Sequence, residues 1–181
     1  MTFSKESFSI RDARKDEFEE TGKLMALVYS GLNGFPQPED FPEYYDLLLH
    51  IGQLTEKPKT SLLIAVDSQG EVLGAVVYFG DMSNYGSKGS ATQESNAAGI
   101  RFLAVSPKAR GEGIGKALTQ ACIEKAKESG LAQVILHTTL TMMTAWKMYE
   151  KMGFQRSDEL DFDQSDLHVY GFRLLLDLTK T

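Results

Sequence analysis

The chain has a single cysteine, Cys122, among its 181 residues, so no disulfide can form within it and stability must come from packing rather than covalent staples. Its three histidines, His50, His137 and His168, are too scattered to spell a ligand pattern, and no metal is expected. No apolar run approaches the ~20 residues that a membrane-spanning helix needs. The amino-terminal MTFSKESFSI lacks the basic head and long apolar stretch of a signal peptide, so a cytoplasmic location without membrane attachment is expected. Positive charge is in deficit as well. With 19 Lys and Arg against 25 Asp and Glu, the net charge of -6 excludes the basic footprint that a sequence-independent grip on nucleic acid requires. No repeat or linker-like shift in composition divides the chain, and residues 1–181 are read as one domain.

What is present is an ordinary globular composition, 42% hydrophobic and 24% charged, in a chain long enough to bury a real core. SFSIRDA (7–13) alternates like a strand, and DEFEETGKLMALVYSGL (16–32) carries Phe18, Leu24, Leu27 and Val28 at helical spacing. Residues 31–42, rich in Gly and Pro, read as a loop before a second helix over 42–54 with Tyr44, Leu47, Leu48 and Ile51 on one face. SLLIAVDSQGEVLGAVVYF (61–79) gives two β-rich runs around Ser68-Gln69-Gly70, a hairpin signal. GDMSNYGSKGSATQESN (80–96) is long, small and polar, the kind of loop that carries function. AAGIRFLAVS (97–106) is a continuous apolar run and reads as a central strand. A helix from near Gly113 shows Ile114, Ala117, Leu118, Ala121 and Cys122 on one stripe and is set to stop at Gly130. QVILHTT (133–139) is the next strand, followed by a helix over 142–152 with Thr141 as N-cap and Gly153 as stop. FQRSDELDF (154–162) and HVYGFRLLLDL (168–178) are the closing strands. This order makes the fold a single-domain mixed α/β one.

Between the strand 97–106 and the next helix, SPKARGEGIGKAL (106–118) sets Gly111, Gly113 and Gly115 between Arg110 and Lys116. Glycine weakens both strand and helix, so the crowding needs a cause. A helix start supplies one: its free N–H groups and positive dipole end seat phosphate oxygens, and glycines let the backbone close on them. The loop is not a Walker loop, which needs Gly where Arg110 stands and Ser or Thr where Ala117 stands. Nor is it a dinucleotide fingerprint, because Lys116 takes the place of the third glycine. Arg110, Gly113 and Gly115 instead meet the pattern Arg-x-x-Gly-x-Gly, and AWKMYEKMGF (145–154) supplies an alanine, a tyrosine four residues later and a Gly-Phe pair. Together these resemble the acyl-coenzyme A loop and the second signature of the GNAT N-acetyltransferases, a likeness that covers about residues 97–156.

The resemblance implies a GNAT-like fold, a mixed central sheet in which the strands 97–106 and 133–139 splay apart, with helices on both faces. It implies acetyl-CoA as acyl donor, held by the backbone at Leu103 and Val105 and by Arg110, Gly111, Gly113, Ile114, Gly115 and Lys116 around the diphosphate. The activity implied is acetyl transfer to a primary amine of a small molecule, by direct attack in a ternary complex. Tyr149, the signature tyrosine, is the catalytic candidate, since a phenol of pKa about 10 is protonated at neutral pH and can donate to the departing sulfur. The base stays open among Glu94, His137 and water, because Gly99 stands where histone-modifying members carry a glutamate. Met142 stands where many members have asparagine, with Thr141 or Thr144 as substitutes for that polar contact.

The acceptor pocket is expected from the loops 31–42 and 80–96 and the last hairpin. These carry Tyr29, Phe35 and Tyr85 together with Glu39, Asp40, Asp81, Asp158, Glu159, Asp161, Asp163 and Asp166, and the acid surplus points to a small cationic amine. Cys122 reads as a buried structural thiol. A homodimer is common in folds of this type. The rival reading is a non-catalytic acyl-CoA-binding sensor or interaction domain that keeps the loop without the acceptor chemistry.

Overall fold

A computed structural model describes residues 7–177, so Leu178, the end of the strand expected over 168–178, lies outside the described residues. The strands are β1 (Phe8–Asp12), β2 (Thr60–Asp67), β3 (Val72–Phe79), β4 (Ala97–Val105), β5 (Gln133–Thr138), β6 (Gln155–Arg156), β7 (Phe162–Gln164) and β8 (Leu167–Leu175). The helices are α1 (Phe18–Ser30), α2 (Pro42–Leu49), α3 (Ile114–Glu128) and α4 (Met143–Lys151). The strands join in the order β1-β2-β3-β4-β5-β8-β6, with β7 on β8. Among the described residues only β4 and β5 run parallel, which their connection through α3 permits. No helix among the described residues is long and apolar enough to cross a membrane.

Strand alternation sorts the core onto two faces. Leu62, Ile64 and Val66 of β2 pack with Met25, Val28 and Tyr29 of α1 and with Leu48 of α2. Leu63 and Ala65 pack on the other face with Ile114, Leu118, Cys122 and Ala126, a stripe at every fourth residue of α3, and with Tyr149 of α4. Helices therefore cover both faces of the sheet. Helix α3 stops where expected: Gly130 has φ +71°, Gly130 N–H donates to the Lys127 carbonyl and Leu131 N–H to that of Ala126, the paired bonds of a Schellman cap.

Three expectations about element ends are corrected. Helix α2 ends at Leu49 and the chain continues as a 3-10 turn, Ile51–Glu56, because His50 leaves the helical region. The strand expected over 154–162 is split into β6 and β7 by the turn Asp158–Leu160, which buries Leu160 completely. There the Asp161 carboxylate grips Arg156 twice at 2.8 Å and accepts the Gly171 N–H at 2.7 Å, taking up a donor that a continuous ladder would have used. Thr141 does not cap α4. Its hydroxyl pairs with that of Thr139 at 2.6 Å, and Met142 holds the N-cap position without a side-chain bond.

The sheet is irregular at one place that matters for function. Strand β4 pairs with β5 only from Ala97 to Ile100. Beyond it, Phe102 and Leu103 together stand opposite the single Val76 of β3, between the pairs Val77–Arg101 and Ala75–Ala104. This is a β-bulge, and Phe102 adopts φ +62° within it, a conformation costly for a bulky residue. The extra residue reverses the alternation. Ala98 and Ile100 face α3, whereas past the bulge Phe102 and Ala104 face α1 while Leu103 and Val105 turn to α3.

Gly99 lies just before the bulge, where a Cβ would fall 2.5 Å from the Tyr85 ring and 2.8 Å from the Met82 sulfur. Both neighbours are 1% exposed and have no room to move away. Gly99→Ala is therefore expected to destabilise the fold by overpacking, by about 1–3 kcal/mol, read as a lower urea midpoint at unchanged slope.

Candidate active site

The parting of β4 from β5 opens two adjoining cavities. One, of about 450 Å³, runs along β4 and over the start of α3, and its lining includes Leu103, Val105, Arg110, Gly111, Gly113, Ile114, Gly115 and Lys116. The geometry explains why glycines stand there. Gly111 (φ +82°) and Gly113 (φ +83°) occupy the left-handed region, and Gly113 is the N-cap residue of α3. Gly115 has an ordinary backbone, but its Cβ would sit 3.6 Å from Val105 and Met148 and narrow the groove. Arg110 and Lys116 make no ion pair among the described residues. A groove walled by bare backbone, with a helix N-terminus and two free cations, fits a diphosphate-bearing ligand. Thr141 and Thr144 line the same groove.

The second cavity, of about 350 Å³, lies on the α1 side of the sheet. Its wall is aromatic: Tyr44 stacks on Phe41 at 5.0 Å and contacts Tyr29, Phe35 and Phe102 with ring centroids 5.9, 5.7 and 5.8 Å away. The two cavities meet at Tyr29, Leu103, Met142 and Ala145, which line both. The Tyr29 hydroxyl donates to the Leu103 carbonyl at 3.0 Å, so part of the β4 edge already has a partner.

Tyr149 is 4% exposed, lines the aromatic cavity and takes no hydrogen-bond partner through its hydroxyl among the described residues. Burial raises its pKa, which keeps the phenol protonated. The helix end holds it. Gly153 (φ +99°) donates to the Glu150 carbonyl and Phe154 to the Tyr149 carbonyl, while the Phe154 ring meets the Tyr149 ring at 5.7 Å. The Tyr, Gly and Phe of the signature are thus the parts of one Schellman cap with its apolar contact.

The side chains considered as base are otherwise engaged. Glu94 accepts from Arg173 at 2.6 Å and lines neither cavity. His137 lines the aromatic cavity, but its Nε2 lies 2.8 Å from the Leu160 carbonyl, which can only accept, so Nε2 carries the proton. Nδ1 then accepts from the Tyr85 hydroxyl at 2.8 Å. Burial lowers the ring's pKa to about 4. Neither ring nitrogen offers a free lone pair, and Tyr85 fills the space beside Gly99 where a base-bearing side chain would stand. Cys122 is fully buried and its thiol is pushed up to about 12 by burial, as a structural thiol should be.

The expected acid-rich pocket does not form. Asp161 and Glu159 are paired with Arg156 and Arg173, Asp163 meets His168, and Asp81 caps the turn at Ser83. None of the acids named above lines the aromatic cavity, where the one carboxylate is that of the exposed Glu43. The residues that sequence reasoning misses are Arg101, Ser87 and Thr138, all in its lining. A signal for Arg101 exists, since it is the single charge in the run AAGIRFLAV.

The chain matches the acetyltransferase (GNAT) family model over residues 19–154. It belongs to that family. Among curated relatives, it is 32% identical to N-acetylaspartate synthetase of Danio rerio over 123 residues, 65% of this chain and 40% of that protein. It is 33% identical to mycothiol acetyltransferase of Arthrobacter sp. (strain FB24) over 96 residues, 53% of this chain and 28% of that protein. The matched stretch spans less than half the length of these relatives. A GNAT acetyltransferase structure from Staphylococcus aureus superposes with a TM-score of 0.71 at 16% identity, covering 94% of this chain and 99% of the other. A Salmonella typhimurium protein solved with its cofactor acetyl-CoA gives 0.67 at 15% identity, covering 95% of each. At these identities the structures show the shared GNAT fold.

The buried, neutral His137 has a consequence for stability. Its folded pKa of about 4 lies below the ~6.5 of an unfolded chain. Its contribution is complete above about pH 6.5 and declines as pH falls through the window toward 4, where the unfolded chain binds the extra proton. The wild type is expected to lose more stability between about pH 7 and pH 5 than His137→Gln, measured by urea denaturation at both values; equal losses would show that the ring is not held neutral.

Proposed function

We propose that this GNAT domain is an N-acetyltransferase that passes the acetyl group of acetyl-CoA directly to a primary amine of a small molecule. The observation that carries the reading is the junction of the two cavities. The groove suited to a diphosphate ends at Leu103, Met142 and Ala145, where the aromatic cavity begins. A donor in the groove and an acceptor in the cavity would meet there without a covalent enzyme intermediate. An acetyl-CoA-bound neighbour of the same fold supports the donor. A relative named for N-acetylaspartate, a small acetylated amine, supports the acceptor class.

The donor supplies an activated thioester carbonyl. The amine nitrogen attacks that carbon, the C–N bond forms and the C–S bond breaks, the nitrogen gives up a proton and the thiolate receives one. Tyr149 is the donor to sulfur in this scheme, protonated by burial and without a hydroxyl partner among the described residues. Arg110, Lys116 and the N–H groups of the glycine turn hold the diphosphate. The β4 edge beyond Ile100, unpaired with β5, holds the pantetheine arm as an added strand. With Glu94 and His137 engaged elsewhere, water takes the amine's proton. The aromatic wall assists by disfavouring the ammonium through desolvation.

Two measurements test this. Calorimetric titration with acetyl-CoA is expected to show binding that Arg110→Ala, Gly113→Ala loses by at least tenfold, because the variant removes a cation and forces a Cβ onto a left-handed backbone. Tyr149→Phe is expected to lower kcat by about 10²- to 10³-fold while acetyl-CoA affinity changes little. An unchanged kcat would remove the phenol from the chemistry.

A further inference from the structure

Arg101 sits in the wall of the acceptor cavity, on the α1 side of the sheet where the alternation of β4 before the bulge places it. Its guanidinium lies over the Phe102 ring at 4.3 Å and near the Tyr85 ring at 5.5 Å, and Nη1 donates to the Tyr85 carbonyl at 2.8 Å. That bond uses a single donor of a group that carries several in a planar fork. No carboxylate pairs with Arg101 among the described residues, although the surrounding acids pair with Arg156, Arg173 and His168. The positive charge is felt across the site, at Tyr29, Tyr44, Tyr85 and His137. A second observation points the same way. The hydroxyls of Ser87 and Thr138 are buried without a partner among the described residues, and both residues line this cavity. Ser87 follows Gly86, whose Cβ position is 3.2 Å from the Arg101 Nη1. Unsatisfied buried hydroxyls and an unpaired guanidinium in the lining of one cavity are matched by a ligand that carries an anionic acceptor.

We infer that the acceptor is an amine that also carries a carboxylate, bound through Arg101 with Ser87 and Thr138 as supporting donors, its carbon skeleton against the aromatic wall. This rests on the acetyl-transfer reading and narrows it to acceptors of the amino-acid class. It reverses the cationic-amine expectation drawn from the acid surplus, because none of those acids lines the cavity. Arg101 here is a specificity residue: it anchors the acceptor's carboxylate and takes no part in bond making.

The test compares each amino acid with its decarboxylated partner: phenylalanine with phenethylamine, leucine with isopentylamine, lysine with cadaverine. In wild type, kcat/KM is expected to favour the carboxylate-bearing member of each reactive pair. Arg101→Met is expected to reduce that preference by about tenfold to a hundredfold, the range for loss of a charge-assisted bond pair. Arg101→Lys should recover only part of it, since a point charge lacks the fork, and Ser87→Ala, which leaves the guanidinium in place, should reduce it by a smaller factor. Calorimetric titration of the CoA-loaded protein with the N-acetyl products of each pair separates this inference from the one beneath it. Carboxylate-dependent binding that Arg101→Met loses, with no turnover of any amine, would retain the anion site and retire acetyl transfer. Equal use of both members of each pair, or a preference unmoved by Arg101→Met, would overturn the anion site and leave acetyl transfer standing. Failure of every carboxylate-bearing compound to bind or react would overturn it too.

Discussion

Opposite the single Val76 of β3, strand β4 places both Phe102 and Leu103, and from this bulge onward β4 no longer accompanies β5. The rest of the site depends on that mismatch. Had the ladder continued, the β4 edge would be closed, and neither the groove leading to α3 nor the cavity beneath α1 would reach the other. The left-handed backbone at Phe102 costs about 1–3 kcal/mol. Its surroundings offset this, with the ring buried, packed at a tilt against Tyr44 and covered by the Arg101 guanidinium. Strain, aromatic wall and cation are thus one arrangement.

Electrostatically, the molecule separates its charges with some care. Three acids of the closing segment, Glu159, Asp161 and Asp163, are paired near their own turn, where Asp161 serves Arg156, His168 and the Gly171 N–H at once. The cavity interior receives a cation and a wall of rings instead. His137 belongs to this interior as a neutral strut between the Tyr85 hydroxyl and the Leu160 carbonyl, and it ties the long loop before β4 to the turn before β7. A net charge of -6 for the whole chain therefore says little about the sign of charge an acceptor meets.

Local features were the legible ones. The order of strands and helices follows from period and punctuation, and the stops at Gly130 and Gly153 follow from glycine alone. The loop from Arg110 to Lys116 could be read because its residues are contiguous and their spacing carries the backbone requirement. What could not be read depends on distant partners. A bulge has no letter of its own, so AAGIRFLAV scans as a plain buried strand and the turn of Phe102 to the same side as Arg101 stays hidden. The break between β6 and β7 is decided by a carboxylate reaching Gly171, ten residues away. Counting acids in the tail shows their number and not the arginines that occupy them.

The contact between Gly99 and the Tyr85 ring bears on how such a site can change over time. A carboxylate at position 99 cannot arise by one replacement, since its first carbon would already overlap the ring. Shrinking Tyr85 first would cut the hydroxyl from His137 and unsettle the loop whose carbonyl steadies Arg101. The two positions are therefore locked in sequence space: each replacement is harmful alone, and only a joint exchange opens the route. Descendants of this chain would then be expected to diversify their chemistry at the rim formed by α2 and β7 sooner than at the strand beneath it.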